Sequence, residues 1–436
     1  MILFPLLSLV LFLSETHFAS CFLHEIPLTK LSSKSTNIST SINPSWFYTL
    51  PISIGTPSQP FNVIIATGSS SLLIADTASN LNTTNKYNAS NSSTFINTNQ
   101  PKFFHFFDDS LSYGLIYNDT VSIGPDFSVT SFPFTSLIHG TLNPSAINDG
   151  ILGMNRNNTN IIPLLKNHYV ISGNIFSLYD PETTDGTAFM YIDEVHSNFT
   201  KDAVATCEAI ENDELYWKCN ASYIIITNDN VTSKTLSENT SVLAFEEQVI
   251  FDSGSNAFMF PHKYEGEFLR ILNSINQCKV ETATEDIEYI TCPKEYIRDI
   301  HIVINNYSLK IKKENIWETI EDEKGIVVYG LNVFFNKKET NVIIGMQMFK
   351  GYHVLFNKDD KEIKFYTHNE GFIVKIANIN ILLVVALSIF GSLIILAEIL
   401  LLYFFLCKNE SKTMKNIEGE IKNLDEHSQQ LVENQD

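Results

Sequence analysis

Between about Trp46 and Thr367 the apolar positions fall in short runs rich in β-branched and aromatic residues. Tyr48-Thr49-Leu50-Pro51-Ile52-Ser53-Ile54 and Ile302-Val303-Ile304 are examples, and Gly, Asn and Asp turns separate such runs. Strand-length runs bounded by turn residues predict β-structure. No long stretch with a 3.6-residue apolar period stands out here, so an all-β body is expected.

The two ends read differently. Ile2 to Leu13 is an apolar run that precedes the small residues Ala19 and Ser20. It predicts a signal peptide over residues 1–20, although a basic n-region is missing. Ile381 to Cys407 is a second apolar run, broken only by Glu398. It is long enough to cross about 30 Å of hydrocarbon as a helix. Lys408, Lys412 and Lys415 follow it directly, which assigns that end to the cytoplasm. A type I single-pass protein of the secretory pathway or cell surface is therefore expected. Its span would cover residues 376–407 and its polar tail residues 408–436.

One apolar-strand-then-turn element occurs twice. The first copy reads Val63-Ile64-Ile65-Ala66-Thr67-Gly68-Ser69-Ser70, and the second reads Val249-Ile250-Phe251-Asp252-Ser253-Gly254-Ser255. Ala66 and Asp252 stand 186 residues apart, room enough for one lobe of a two-lobed protein. The copies differ where chemistry would reside, because Asp252 is an acid and Ala66 is not.

The formal net charge of -20 argues against nucleic acid as a partner, since nucleic acid attracts basic stripes. A charged fraction of only 18%, with abundant Asn, Ser and Thr, suits an exported glycoprotein. Asn-x-Ser/Thr acceptors include Asn82, Asn88, Asn91, Asn118 and Asn198, and the first three crowd an Asn-rich loop between Asn80 and Asn99. Of six cysteines, four lie in the expected lumenal body: Cys207, Cys219, Cys278 and Cys292. An even number in an oxidising compartment suggests two disulfides. Three pairings exist, and the local one, Cys207–Cys219 with Cys278–Cys292, closes the shortest loops. The spacings fit no zinc motif, and no metal or cofactor is expected.

The duplicated element resembles the active-site strands of pepsin-family aspartic proteases, where both copies read Asp-Thr/Ser-Gly-Thr/Ser. Further stretches carry the likeness. Ile54-Gly55-Thr56-Pro57-Ser58-Gln59-Pro60-Phe61 is similar to the family's turn before the first active-site strand. Ser92-Ser93-Thr94-Phe95 and Tyr113-Gly114-Leu115-Ile116-Tyr117-Asn118-Asp119-Thr120-Val121 resemble segments on either side of its flap. Asp149-Gly150-Ile151-Leu152-Gly153 and Val342-Ile343-Ile344-Gly345 resemble the strands crossing behind the two loops. His24-Glu25-Ile26-Pro27-Leu28 resembles the start of a prosegment, so residues 21–45 read as a short prosegment-like region and residues 46–375 as the two-lobed body.

The resemblance implies a two-lobed pepsin-like fold and a cleft for a peptide or protein ligand, in a monomer. It places Gly68, Ser69, Phe107, Gly254 and Ser255 at the ligand. It also implies departures. The family's chemistry needs two carboxylates about 3 Å apart that share one proton. Asp252 supplies one, and Ala66 stands where the other would be. Phe107 falls at the family's flap tyrosine, and Leu73 at the tryptophan that partners it. Asp108, Asp109 and Ser110 replace a Gly-rich flap tip.

Three functions compete. The leading one is a membrane-anchored peptidase homologue, catalytically impaired, that binds a peptide or protein in its cleft. The second is an active aspartic endopeptidase with a non-standard dyad, in which Asp108, Asp109 or Asp76 replaces the missing acid. The third is a glycosylated surface protein that uses the fold as a scaffold.

The topology is testable. Protease added to sealed microsomes should remove the residues after Lys408, while glycosidase should act only after the membrane is opened. A glycan on Asn409 would overturn the orientation.

Overall fold

The computed structural model describes residues 25–33, 45–105, 111–140, 148–181, 187–193, 203–210, 215–227, 241–272, 277–305, 307–321 and 327–367. The chain divides into the units Met1–Lys375 and Ile376–Asp436. The expected signal peptide, span and tail lie outside the described residues. Among the described residues no helix is long and apolar enough to cross a membrane.

The first unit is mostly β, as expected. An N-terminal strand β1 (Glu25–Ser33) precedes β2 (Ser45–Ile54), β3 (Gln59–Ala66), β4 (Leu72–Ala75), β5 (Ile96–His105), β6 (Leu111–Ile123), β7 (Phe127–His139) and β8 (Gly150–Gly153). Next come β9 (Ile175–Tyr179), β10 (Ala188–Ile192) and β11 (Ala205–Glu208). The second half holds β12 (Lys218–Thr227), β13 (Ser241–Phe251), β14 (Phe258–Pro261), β15 (Lys279–Thr284), β16 (Ile287–Cys292), β17 (Asp299–Ile304), β18 (Tyr307–Ile311), β19 (Trp317–Glu321), β20 (Val327–Asn336) and β21 (Val342–Ile344). The last two strands are β22 (His353–Asn357) and β23 (Glu362–Tyr366).

These form two sheets. The larger has 13 strands in the order β11-β23-β22-β9-β10-β1-β2-β3-β8-β4-β7-β6-β5. The other, of 10 strands, contains β12 to β21. Strand β1 splices the larger sheet. Its first residues, Glu25 to Leu28, pair with β10, and Thr29 to Ser33 pair with β2. It thereby joins the N-terminal lobe to a platform built from both halves of the chain.

The lobes repeat one unit. Strand β3 runs parallel to β8, which lies antiparallel to β4, which in turn runs parallel to β7. Strand β13 runs parallel to β21, β14 lies antiparallel to β21, and β14 runs parallel to β20. Parallel neighbours flanked on both faces require strands that are apolar throughout. Val63 and Ile65 in the first copy, and Val249, Ile250 and Phe251 in the second, are 0% exposed. Each such side chain contributes about 1.5–3 kcal/mol of burial.

Aromatic packing ties the platform to the lobe loops. Phe176 stacks on Phe356 with ring centroids 4.9 Å apart. Trp217 lies against both at 6.0 and 5.1 Å, and its indole N–H donates to the Met154 carbonyl at 2.9 Å.

Both local disulfides form. Cys207 and Cys219 link β11 to β12 with Cα atoms 5.9 Å apart. Cys278 and Cys292 close the β15–β16 hairpin with Cα atoms 4.3 Å apart. Loops of this length correspond to about 3 kcal/mol each in the loop-entropy account.

One carboxyl in the second lobe is poorly placed for water. Burial pushes Glu318 on β19 up to about 8 from its ordinary 4.5. The folded state therefore holds this proton more tightly than the unfolded chain does. Its contribution is fully present below pH 4.5 and is lost as pH rises through about 8. Glu318→Gln should raise Tm at pH 8.5 and leave it nearly unchanged at pH 4. Equal shifts at both pH values, read by calorimetry, would refute this assignment.

Candidate active site

Strands β3 and β13 each deliver a tight loop. Ser69 N–H donates to the Ala66 carbonyl at 3.2 Å, and Ser255 N–H donates to the Asp252 carbonyl at 3.2 Å. The strand crossing behind each loop supports it. Met154 N–H donates to the Ala66 carbonyl at 2.8 Å, and Met346 N–H donates to the Ser255 carbonyl at 2.9 Å.

The two loops are locked together by their hydroxyl residues. Thr67 Oγ1 donates to the Phe251 carbonyl at 2.8 Å and accepts from Ser253 N–H at 2.9 Å. Ser253 Oγ donates to the Ile65 carbonyl at 2.8 Å and accepts from Thr67 N–H at 3.2 Å. Each hydroxyl serves once as donor and once as acceptor, as its chemistry allows. Both residues are 0% exposed, so these groups have no recourse to water.

This lock brings residue 66 face to face with residue 252. Asp252 Oδ1 accepts from Gly254 N–H at 2.8 Å and from Gly68 N–H at 2.9 Å. A Cβ on Gly68 would meet Asp252 Oδ2 at 2.5 Å, so only glycine fits. The mirror contact exists too, since a Cβ on Gly254 would meet Ala66 Cβ at 2.5 Å. Residue 66 thus presents a methyl group where residue 252 presents a carboxyl.

Asp252 is buried, at 6% exposure. Desolvation raises its pKa above the ordinary 3.8, and the two backbone N–H donors work against that rise. Its second oxygen has no hydrogen-bond partner among the described residues. Asp252 is therefore a lone acid that holds its proton at a pH where an exposed aspartate has lost it.

The other expected positions divide. Gly68 and Gly254 position Asp252 through their N–H groups. Ser69 offers its carbonyl to Asn155 N–H at 3.0 Å, and Ser255 Oγ turns to the Ala257 carbonyl at 2.7 Å. Phe107, with Asp108, Asp109 and Ser110, lies outside the described residues. Leu73 is 0% exposed and packs with Ala75, Leu81 and Leu137. Asp76 is committed elsewhere: its carboxylate accepts from Ser136 Oγ at 2.7 Å and Ala78 N–H at 2.8 Å. Among the acceptor asparagines, Asn82 and Asn91 are exposed and Asn88 and Asn118 are half-buried, while Asn198 lies outside the described residues. Asn88 caps a short turn by accepting from Ser90 N–H at 3.0 Å.

Sequence reasoning missed three groups beside the site. Asp119 on β6 is 0% exposed and accepts from Tyr87 Oη at 2.7 Å, Thr94 Oγ1 at 2.5 Å and Thr120 N–H at 2.8 Å. Burial pushes its pKa up, yet these donors hold it below the usual value. Trp217, at 1% exposure, pins the loop after β8. Lys102 on β5 donates to Ser71 Oγ at 2.7 Å. No local signal marks Lys102, because its inward position is set by the register of β5 with β6, where it pairs with Gly114.

The family profile described as eukaryotic aspartyl protease matches residues 47–368. Pepsin A of Gallus gallus is 23% identical over 325 residues, covering 72% of this chain and 82% of the relative. Secreted aspartic protease 3 of Candida albicans is 22% identical over 345 residues, covering 74% and 79%. Rhizopuspepsin of Rhizopus chinensis is 23% identical over 328 residues, covering 72% and 76%. The chain belongs to the eukaryotic aspartyl protease family.

The lock is open to test. Thr67→Val removes the hydroxyl that serves two buried backbone groups, each of which costs about 1–3 kcal/mol when left unsatisfied. Thermal unfolding should show a clear fall in Tm. An unchanged Tm would mean the lobes are held by other contacts.

Proposed function

We propose that this protein is a membrane-anchored peptidase homologue that cleaves peptides very poorly or not at all, and holds a peptide or protein segment between its lobes. The observation that supports it is the methyl group of Ala66 opposite the carboxyl of Asp252.

Aspartic peptidase chemistry runs on a pair. The ionised acid takes a proton from a bound water while the protonated one polarises the scissile carbonyl, and the roles exchange as the intermediate collapses. Two carboxyls that close cannot both ionise, so they share a proton. Among the described residues Asp252 has no second carboxyl to share with. Burial displaces it toward its neutral form, which cannot take a proton from water and can donate a hydrogen bond to a carbonyl. That suits capture of a backbone more than attack on it. Asp76 is bonded to Ser136 and Ala78, which weighs against its serving as a replacement acid.

Export is supported by the two disulfides and by relatives whose names call them secreted. The apolar run Ile381 to Cys407 supports the anchor.

An acid-pH cleavage assay on the purified protein decides the matter. Loss of one acid–base group costs about 10²–10⁴ in rate. Activity should be at least about a thousandfold below that of pepsin A under the same conditions. Ala66→Asp should gain only a little, because Phe107, Leu73 and the acidic Asp108 and Asp109 remain. Robust cleavage by the natural sequence that vanishes in Asp252→Ala would overturn the proposal and establish an active endopeptidase.

A further inference from the structure

The hairpin of β5 and β6 carries its side chains the wrong way round for a plain structural element. On β5, Pro101 and Phe103 face solvent, while Lys102 and Phe104 turn inward and are half-buried. Phe103 is 73% exposed. Phe104 packs on the cluster of Leu73, Ala75, Leu81 and Leu137. Lys102 occupies the neighbouring inward site on the same face, because strand side chains alternate.

An inward lysine ordinarily has a carboxylate. Lys102 has none among the described residues: its ammonium donates to Ser71 Oγ at 2.7 Å and lies 5.0 Å from the centroid of the Phe104 ring. A hydroxyl is a neutral acceptor, and the ring offers only its π-face. Burial lowers the Lys102 pKa below its ordinary 10.5, with no opposing charge to restore it. An apolar side chain would fill this site without that cost.

The amine touches the loop that leads from β3 to β4. Ser71 closes the loop that begins at Ala66 and includes Gly68, the residue whose N–H reaches Asp252. The Ser71 carbonyl accepts from Gly153 N–H at 3.0 Å, so the loop end is fixed to β8. Residues 106–110, which join β5 to β6, follow Lys102 by a few positions. The cation therefore sits at the base of the hairpin, against the first of the two facing loops.

We propose that Lys102 is the specificity-determining residue of the cleft and that it takes a carboxylate of the bound peptide. This rests on the reading of the cleft as a peptide site. The bound carboxylate supplies the counter-charge the fold withholds, and Ser71 Oγ and the ammonium together present donors to its two oxygens. The selected ligand is a segment with Asp or Glu at one fixed register, or with its own C-terminal carboxylate there. A chain of net charge -20 would otherwise repel such a segment, so one placed cation discriminates register more sharply than a basic surface would.

The test uses the full-length protein and fluorescently labelled octapeptides. One set moves a single Glu through an otherwise uncharged, C-terminally amidated sequence, and its twin set carries Gln instead. A third set has a free C-terminus and no acidic side chain. Fluorescence polarisation at pH 7 reads the affinities. One register of the Glu set, or the free-carboxylate peptide, should bind about tenfold tighter than its neutral twin, the scale of a hydrogen bond to a charged group. Lys102→Met should abolish that preference while leaving affinity for the Gln twins and the Tm intact, and Lys102→Arg should keep most of it. Twins that bind alike at every register would overturn the role of Lys102 and leave the peptide cleft standing. Absence of binding by any peptide would overturn the cleft reading and this inference with it. A Lys102→Met variant that loses affinity for all twins equally would show a structural pin and also refute the assignment.

Discussion

The four hydrogen bonds made by the Thr67 and Ser253 hydroxyls, two to each other's N–H and two to the Phe251 and Ile65 carbonyls, are the constraint on which the rest of the site depends. They pass through groups with no exposure, so each is worth having only if all are made. Because each residue bonds to backbone of the opposite lobe, the network fixes two loops that are far apart in sequence. The close approach of Gly68 to Asp252, and of Gly254 to Ala66, is a consequence of that lock. So is the line-up of the two strand ends.

The same network explains how an acid can be absent from one loop without the fold failing. Residue 66 enters the scaffold through its backbone, paired in register with Gly153 of β8, and its carbonyl accepts from Ser69 and Met154. Its side chain has no partner in the network. An aspartate or an alanine there leaves every buried donor and acceptor of the lock satisfied. Catalysis and architecture are separable at this position, whereas at Thr67 or Ser253 they are not. Other buried carboxylates differ in kind. Asp149 accepts from Asn62 N–H at 2.8 Å, Asn85 N–H at 2.7 Å and Asn85 Nδ2 at 2.9 Å, which staples the strand β3 to the loop before β5. Asp119 is likewise saturated with donors. Those acids are saturated with donors, whereas Asp252 has one oxygen without a hydrogen-bond partner among the described residues.

Much of this was legible in the residues. The two strand-loop copies, their separation, the β texture and the short Cys-to-Cys loops depend on local pattern, and the structure bears out the mostly β fold and both disulfides. The asymmetry at Ala66 and Asp252 was visible because it is a difference between two copies of one motif. The place of β1 was not legible. Its residues resemble the start of a prosegment, and no local pattern in them points to their place between β10 and β2, with partners such as Tyr191 and Thr49. No local pattern reports pairing over more than a hundred residues. Lys102 escaped for a related reason. Alternation along Pro101-Lys102-Phe103-Phe104 suggests that the phenylalanines face inward, yet period two permits only one of them to do so. The register with β6 chose Phe104 and carried Lys102 in with it.

Two ionisable groups of the cleft are thereby left in complementary difficulty. Among the described residues Asp252 is shielded from water without a cation, and Lys102 is partly shielded without an anion. Each is displaced toward its neutral form for the same physical reason, loss of solvation. The two do not relieve each other, because the contacts of Lys102 are Ser71 and Phe104 and those of Asp252 are Gly68 and Gly254. A fold selected only for stability would replace both with apolar groups, since well-packed hydrophobic side chains do at least as well as buried charges. Polarity retained at both points is what the proposed reading requires: a hydrogen-bond donor for a peptide carbonyl at Asp252 and a cation for a peptide carboxylate at Lys102.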